Sequence, residues 1–502
     1  MPSRDAPPAP QPIPPAELRR LFFRVFPAVA LAMFGAALDQ TLVAAALPAI
    51  ARNLGEVERI SWVVVLYLVA NTVAAPVYGR LGDAFGRRRM LLAALGFYAA
   101  GASFCAIAPS LAWLGLGRVV QGFGGGGLIS LSVALIAEVV PPRERGRFQG
   151  WIAAVFTGAS ALGPVAGGFL TEHFGWRSVF MLQLPLSAVA AWLVVSRLTA
   201  AAKGSPRGFA FDWPGLLLFA LFVAPALLAL DQARRMQPAP LAVAAGLALF
   251  AGVALWLLLR QERRAPDPLL PLGLLGDASI WRANLMTGLV SGAFIGCIAF
   301  LPIYLVTVRA LSPSEVGLAL LPLSACAGFG ALIAGTGLAR TGRTMLWPAI
   351  GLALAAAMLT ALAIGGSGLS MSWLTVMLAA CSLGFGTSFP MVQITVQVAA
   401  GRERLGSATA SVQFSRSLGA AAGTALLGAV LFGALVIAPG DAATLFVALV
   451  DQGPMALAGL APLARDNFQV EMQDAFRALF ATAALLSAVA SWMCTRVPLQ
   501  KV

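Results

Sequence analysis

Histidine is almost missing from this 502-residue chain: His173 stands alone, which excludes a multi-histidine metal site. Lysine is nearly as scarce, with Lys203 and Lys501 the two examples, so no GxxxxGK[ST] phosphate loop exists and ATP-driven work by this chain is excluded. The five cysteines (Cys105, Cys297, Cys326, Cys381, Cys494) lie far apart in apolar surroundings, giving neither a disulfide framework nor a zinc spacing. Charge of either sign is sparse. Only 11% of residues are Asp, Glu, Lys or Arg, against roughly a quarter in soluble domains. A soluble fold of this length needs a polar surface that the composition does not supply.

Hydrophobic residues are abundant at 59%, and they fall in blocks of about 20, the length that crosses a hydrocarbon core of roughly 30 Å. The expected fold is an all-α membrane protein of fourteen spans, from 22–48 to 476–496. Residues 1–21 read as a disordered, Pro/Ala-rich cytoplasmic tail and 438–475 as an extracytoplasmic loop. The first block is too long for a signal peptide. The net charge of +13 comes from arginines placed between apolar blocks, not from the basic stripe that nucleic-acid binding requires. Under strict alternation from a cytoplasmic N-terminus, Lys and Arg are roughly three times as frequent in inward as in outward connections. That bias supports fourteen spans with both termini inside.

Landmarks recur at an offset of roughly 256 residues, the mark of two related halves that frame a central site. Gly79-Arg-Leu-Gly-Asp83-Ala-Phe-Gly86-Arg87 is echoed by Gly335-Thr-Gly-Leu-Ala339-Arg-Thr-Gly342-Arg343. Arg143-Glu144-Arg145 returns as Arg402-Glu403-Arg404, and Leu47-Pro48 as Leu301-Pro302. The expected organisation is two six-helix bundles, 22–198 and 281–502, with a linker at 199–280 carrying two extra spans.

Asp39, Arg118 and Arg416 are charges that fall inside spans. Asp39 lies near the middle of the first, where a carboxylate costs about 2.5–3.5 kcal/mol on insertion scales. Arg118, in the fourth, is its natural electrostatic partner, and Gln121 and Gly122 follow it on the same helix face. Burial disfavours the charged carboxylate while a nearby guanidinium favours it, which suits a group that takes up and releases a proton. Ala293 occupies the position equivalent to Asp39 in the second half. Asp83 is placed to cap a helix of the facing half, because helix N-termini favour anions, and Arg87 to pair with Glu138. Gly163, Gly167 and Gly168 allow close helix approach and Pro164 a bend. Gly419 and Gly423 repeat that spacing, marking an expected surface on which the halves slide.

Taken in order, these segments resemble the major facilitator superfamily, and within it the fourteen-span drug:proton antiporters of the EmrB/QacA type. The Gly79–Arg89 loop is similar to the family's signature between spans 2 and 3, and Leu38-Asp39-Gln-Thr41-Leu-Val-Ala-Ala-Ala-Leu47-Pro48 to its first-span motif, with Ala44 where the family carries Asn. Arg118-Val-Val-Gln121-Gly122 resembles the fourth-span motif, and Gly158 with Gly163-Pro164-Val-Ala-Gly167-Gly168 the fifth-span antiporter motif. Trp176–Phe180 and Gln413-Phe414-Ser-Arg416-Ser-Leu-Gly419 also look like family segments. The resemblance implies a proton-coupled exporter of hydrophobic or cationic small molecules, with Asp39 and Arg118 coupling the proton. It also implies a cytoplasmic latch of Gly79, Asp83, Gly86, Arg87 and Glu138. Thr41, Gln121, Phe385, Gln393, Gln397 and Arg416 are expected to line the substrate cavity, with Trp62 and Tyr67 as further candidates.

The implied partners are the lipid bilayer, a small-molecule substrate and protons from the proton motive force, without a cofactor. A monomer in a bacterial cytoplasmic membrane suffices, and some relatives work with a periplasmic adaptor. Two other classes stand beside this one: an exporter of one metabolite, siderophore or lipid, and a non-transporting membrane enzyme or receptor. The last requires a catalytic constellation or a soluble domain, and no segment supplies either.

Overall fold

In hydrocarbon a backbone N–H or C=O has no water to bond, so a chain this apolar must satisfy those groups within helices. The computed structural model describes residues 15–501 except 55–59, 61, 199–210, 234–237, 267, 270–271, 310, 312, 366–367, 439–440 and 447–461. The described residues are overwhelmingly helical, with no strand beyond an isolated bridge between Arg343 and Lys501. The first six spans comprise α1 (Pro15–Leu54), α2 (Trp62–Phe85), α3 (Arg87–Ala106), α4 (Leu111–Val139), α5 (Pro142–Phe174), α6 (Arg177–Met181) and α7 (Gln183–Arg197). A hairpin follows, α8 (Trp213–Ala233) and α9 (Pro238–Glu262), then the short α10 (Leu272–Leu275). The rest is α11 (Ala278–Thr307), α12 (Pro313–Thr341), α13 (Leu346–Gly365), α14 (Met371–Gly386), α15 (Ser388–Ala400), α16 (Leu405–Ile437) and α17 (Pro462–Arg496).

Local chemistry sets several ends. Ser110 caps α4 by accepting from the Trp113 amide at 3.3 Å, and Asp277 caps α11 by accepting from the Ser279 and Ile280 amides at 2.7 and 3.2 Å. Gly86 separates α2 from α3 at φ 94°, a left-handed backbone that favours glycine.

Twelve helical stretches among the described residues are long and apolar enough to cross a membrane, and α8 contributes a shorter one, Trp213–Ala229. Large apolar side chains such as Trp192, Leu249, Trp256, Ile364 and Trp492 stand exposed around the outside, a surface suited to lipid. The buried apolar residues form separate clusters. Two draw on residues 25–198 alone, and the largest on 274–497 alone. A smaller cluster joins α8 and α9 to Val77 of α2, and there Phe219 and Phe222 meet the Phe414 ring of α16 at 5.3 and 6.2 Å.

The helices depart most from the expected spans at the two ends of the chain and in two broken spans. Helix α1 already begins at Pro15, within the stretch expected to be a disordered tail, and runs to Leu54 through Pro27 and Pro48. At the other end, α17 starts at Pro462, not near 476, so the expected loop is shorter. The charges at Arg465, Glu471, Asp474 and Arg477 interrupt the apolar run, yet Phe468, Met472, Ala475 and Phe476 are buried at helical spacing, so one face carries the helix onward. The sixth and twelfth spans are each broken, at Leu182 and Thr387.

Helix packing depends on glycine where backbones cross. A Cβ at Gly101 of α3 would collide with the Gln121 backbone of α4, whereas one at Gly96 would meet nothing within 4 Å. Gly101→Val is therefore expected to cost about 1–3 kcal/mol through overpacking, with Gly96→Val near neutral. Thermal unfolding followed by thiol labelling tests this, because four of the five cysteines are buried and react only as the core opens.

Candidate functional site

Helix α4 lies at the centre of the first bundle, flanked by α2 and α3. Its run Gly122–Gly127 brings both neighbours in: a Cβ at Gly122 would meet the Tyr67 carbonyl of α2, and one at Gly124 the Tyr98 backbone nitrogen of α3. This close approach carries Arg118 and Gln121 into the interior. The Asp39 and Arg118 side chains are 0% and 1% exposed, with Arg118 Nη1 at 2.7 Å from Asp39 Oδ2.

Three further hydrogen bonds support the pair. Arg118 Nη1 also donates to Gln121 Oε1 at 2.8 Å, and Nε donates to the Val63 carbonyl at 3.1 Å. Gln121 Nε2 donates to Asp39 Oδ1 at 3.0 Å, so this one side chain holds both charges in register. The guanidinium lies 4.1 Å from the centre of the Tyr67 ring, a favourable cation–π placement. A buried pair recovers its desolvation cost only with good geometry and satisfied hydrogen bonds. Here the geometry is good, and hydrogen bonds engage both Asp39 oxygens and Arg118 Nε and Nη1.

A second polar group joins the two halves. Asp83 accepts from the Gly406 and Ser407 amides at 2.9 and 3.0 Å and from the Ser407 hydroxyl at 3.3 Å, capping the start of α16. Arg87 Nη2 donates to Asp83 at 2.7 Å, and its Nη1 pairs with Glu138 of α4. Gly79 permits the crossing, since a Cβ there would meet the Gly406 carbonyl oxygen at 2.7 Å. The repeat-related crossing of α5 and α12 has the same backbone contact, Gly146 against Gly335, but Ala339 replaces the acid.

The fifth-span glycines divide differently from expectation. Gly163 and Gly167 face α1, where a Cβ would strike Thr41 and Leu42, whereas Gly158 and Gly168 meet nothing within 4 Å. Gly419 and Gly423 pack on Gly288 and Gly292 of α11. These seams lie inside each bundle. Glycine-on-glycine contacts between the halves occur instead at the crossings Gly79–Gly406 and Gly146–Gly335.

The residues grouped as cavity lining also separate. Thr41 donates to the Leu38 carbonyl at 3.0 Å in the α1–α5 seam, and Gln121 and Tyr67 belong to the Asp39 cluster. Trp62 is exposed at the start of α2. In the second half Gln393 and Gln397 both donate to Thr409 Oγ1, at 3.2 and 3.0 Å. Phe385 packs on Phe294 at 5.3 Å, and Phe294 on Phe389 at 6.0 Å. Arg416 lies over the Phe389 ring at 4.9 Å. The described ion pairs engage Asp39, Asp83, Glu138, Glu144 and Asp474, none of them with Arg416. A cation–π contact recovers about 0.5–2 kcal/mol, less than the roughly 2.5–3.5 kcal/mol an embedded arginine costs. Phe294 and Phe389 had no distinguishing sequence signal.

Among the described residues no group of three or more His, Cys, Asp or Glu is placed to hold a metal. A sequence profile of the Major Facilitator Superfamily matches residues 29–424. An uncharacterized MFS-type transporter of Mycobacterium tuberculosis is 34% identical over 409 residues, which is 81% of this chain but 59% of that protein. The multidrug transporter MdtP of Bacillus subtilis is 29% identical over 80% of this chain and 74% of its own. Among solved structures, the human organic anion transporter MFSD10 superposes with a TM-score of 0.64 over 96% of this chain and 100% of its own, at 17% identity. That likeness is one of fold.

Removing one member of the central pair strands the other in the interior, a loss of about 3–5 kcal/mol. Arg118→Met is therefore expected to lower the unfolding midpoint more than the double variant Asp39→Asn/Arg118→Met. A double-mutant cycle of thermal unfolding measures it, and additive losses would mean the two charges are not coupled.

Proposed function

Because the chain belongs to the Major Facilitator Superfamily, we propose that it is a proton-coupled exporter of hydrophobic small molecules that works by alternating access. The observation that carries this reading is the Asp39–Arg118–Gln121 cluster: a carboxylate out of reach of bulk water, 2.7 Å from a fixed positive charge. Protonating Asp39 cancels one charge of the pair and frees the Arg118 and Gln121 donors. Helices α1, α2 and α4 then no longer share that electrostatic tie. Release of the proton restores it. A group whose bonding changes so completely with one proton is suited to bias two arrangements of the bundle.

The Asp83 contact with α16 is the matching structural element. It ties the halves at the end where α2 and α16 cross, and the proposal assigns that end to the cytoplasm, so the state with the latch closed faces outward. Fourteen spans in a bacterial cytoplasmic membrane, both termini inside, complete the reading, with the proton motive force as energy source, no cofactor, and a monomer as the working unit. The names of relatives support export: MdtP is a multidrug transporter, and an MFS-type efflux pump of Fusarium is 32% identical over 70% of this chain. The scarcity of embedded acids favours a narrow cargo range as the second reading, an exporter of one metabolite.

Asp39→Asn is expected to abolish export driven by a pH gradient in everted vesicles while the protein still inserts in the membrane. Transport at the wild-type rate by that variant would end the coupling role. Removing the latch acid is expected to open the cytoplasmic side. In a cysteine-substituted Ser407→Cys protein, Asp83→Ala should raise labelling at position 407 several-fold, and unchanged labelling would show that Asp83 does not hold that side closed.

A further inference from the structure

We propose that Arg416 is the receptor for an acidic group, so that the cargo is an amphipathic organic acid: a carboxylate or similar anion joined to an apolar, preferably aromatic, body. The inference rests on the exporter reading above and assigns the charge of what is carried.

Three observations support it. The first is position. Helix α16 starts at Leu405 beside the Asp83 cap, and at about 1.5 Å per residue Arg416 lies roughly 16 Å along it, inside a helix apolar and long enough to cross a membrane. The second is its state of bonding. Both embedded arginines lie over an aromatic ring, but Arg118 is also closed off by Asp39, Gln121 and a backbone carbonyl. Arg416 stays partly exposed, and the described ion pairs do not include it. A guanidinium offers five N–H donors in a fork that matches a carboxylate. Held within the membrane-spanning part of the molecule without an anion, it is a site built for one that arrives.

The third is the surroundings. Phe389, beneath the guanidinium, belongs to an aromatic row with Phe294 and Phe385. Gln393 lies one helical turn beyond Phe389 on the same face of α15 and is anchored by Thr409 of α16. An acid whose charged end meets Arg416 has an apolar surface for its body immediately alongside. A cationic cargo would face the Arg416 charge with no described carboxylate to offset it, because Asp39 is already neutralised by Arg118.

Three probes sharing one apolar body test the assignment: 2-naphthoate, 2-naphthylmethanol and 2-naphthylmethylammonium, measured by equilibrium binding to the purified full-length protein at pH 7. The acid should bind at least tenfold more tightly than the ammonium compound. Arg416→Gln should weaken naphthoate at least tenfold and leave the alcohol unchanged, which also shows that the variant is folded. Arg416→Lys should keep the preference for acid over alcohol. Equal or tighter binding of the ammonium probe, an unchanged naphthoate affinity in Arg416→Gln, or no naphthoate binding at all would overturn the proposal. Binding at fixed pH needs no gradient, so its failure is separate from failure of the Asp39 coupling test.

Discussion

A carboxylate and a guanidinium held 2.7 Å apart without access to water impose terms on everything around them. Neither charge is tolerable alone at that depth, so the helices that bear them must arrive together: α1 with Asp39 and α4 with Arg118. The remaining donors and acceptors need partners from the same neighbourhood, and Gln121 and the Val63 carbonyl supply them. That arrangement in turn demands close backbones, which the glycine run of α4 permits against Tyr67 and Asn71. One electrostatic requirement thus accounts for a glycine-rich helix in the middle of a bundle. It also explains why the polar chemistry of this half is compact, while the other half keeps a looser strip of glutamines, phenylalanines and one arginine.

The two halves are similar in backbone and different in charge. Each contributes a glycine to both crossings, yet the acid that caps α16 has Ala339 as its counterpart, and the acid beside Arg118 has Ala293. The buried ion pair and the cap between the halves therefore take their acids from the first half, while Arg416, which no described ion pair includes, lies in the second. On the proposed reading this divides labour: one bundle carries the groups that would respond to a proton, and the other those that would meet a cargo.

Much of this was legible before any coordinates. The all-helical fold follows from apolar blocks that can satisfy their backbone only internally. Asp39 and Arg118 stood out because opposite charges inside such blocks need each other, and Asp83 because helix N-termini favour anions, which lets an acid in that loop cap a helix of the facing half. What stayed hidden has physical reasons. Glycine spacing tells that a helix face is open to close approach but not which neighbour takes it, so Gly163 and Gly167 turned toward α1 and not the facing half. Nothing separates Phe389 from the other 28 phenylalanines of 29 in the sequence, since lipid-facing and lining rings have the same chemistry. The early start of α17 was missed because charges on its outer face outweighed the buried spacing of Phe468, Met472 and Phe476.

The glycine-on-glycine contacts have a mechanical meaning. Where Gly79 meets Gly406 and Gly146 meets Gly335, backbone packs on backbone, and both contacts lie toward one end of the bundle. Such a contact has few side chains to repack, so in the proposed cycle it can part and re-seat once the Asp83 cap lets go. Over the roughly 50 Å length of α16 at about 1.5 Å per residue, a tilt of about 10° would swing its first turn by roughly 8 Å. The reach of that opening is set by helix length, and its resistance by one carboxylate.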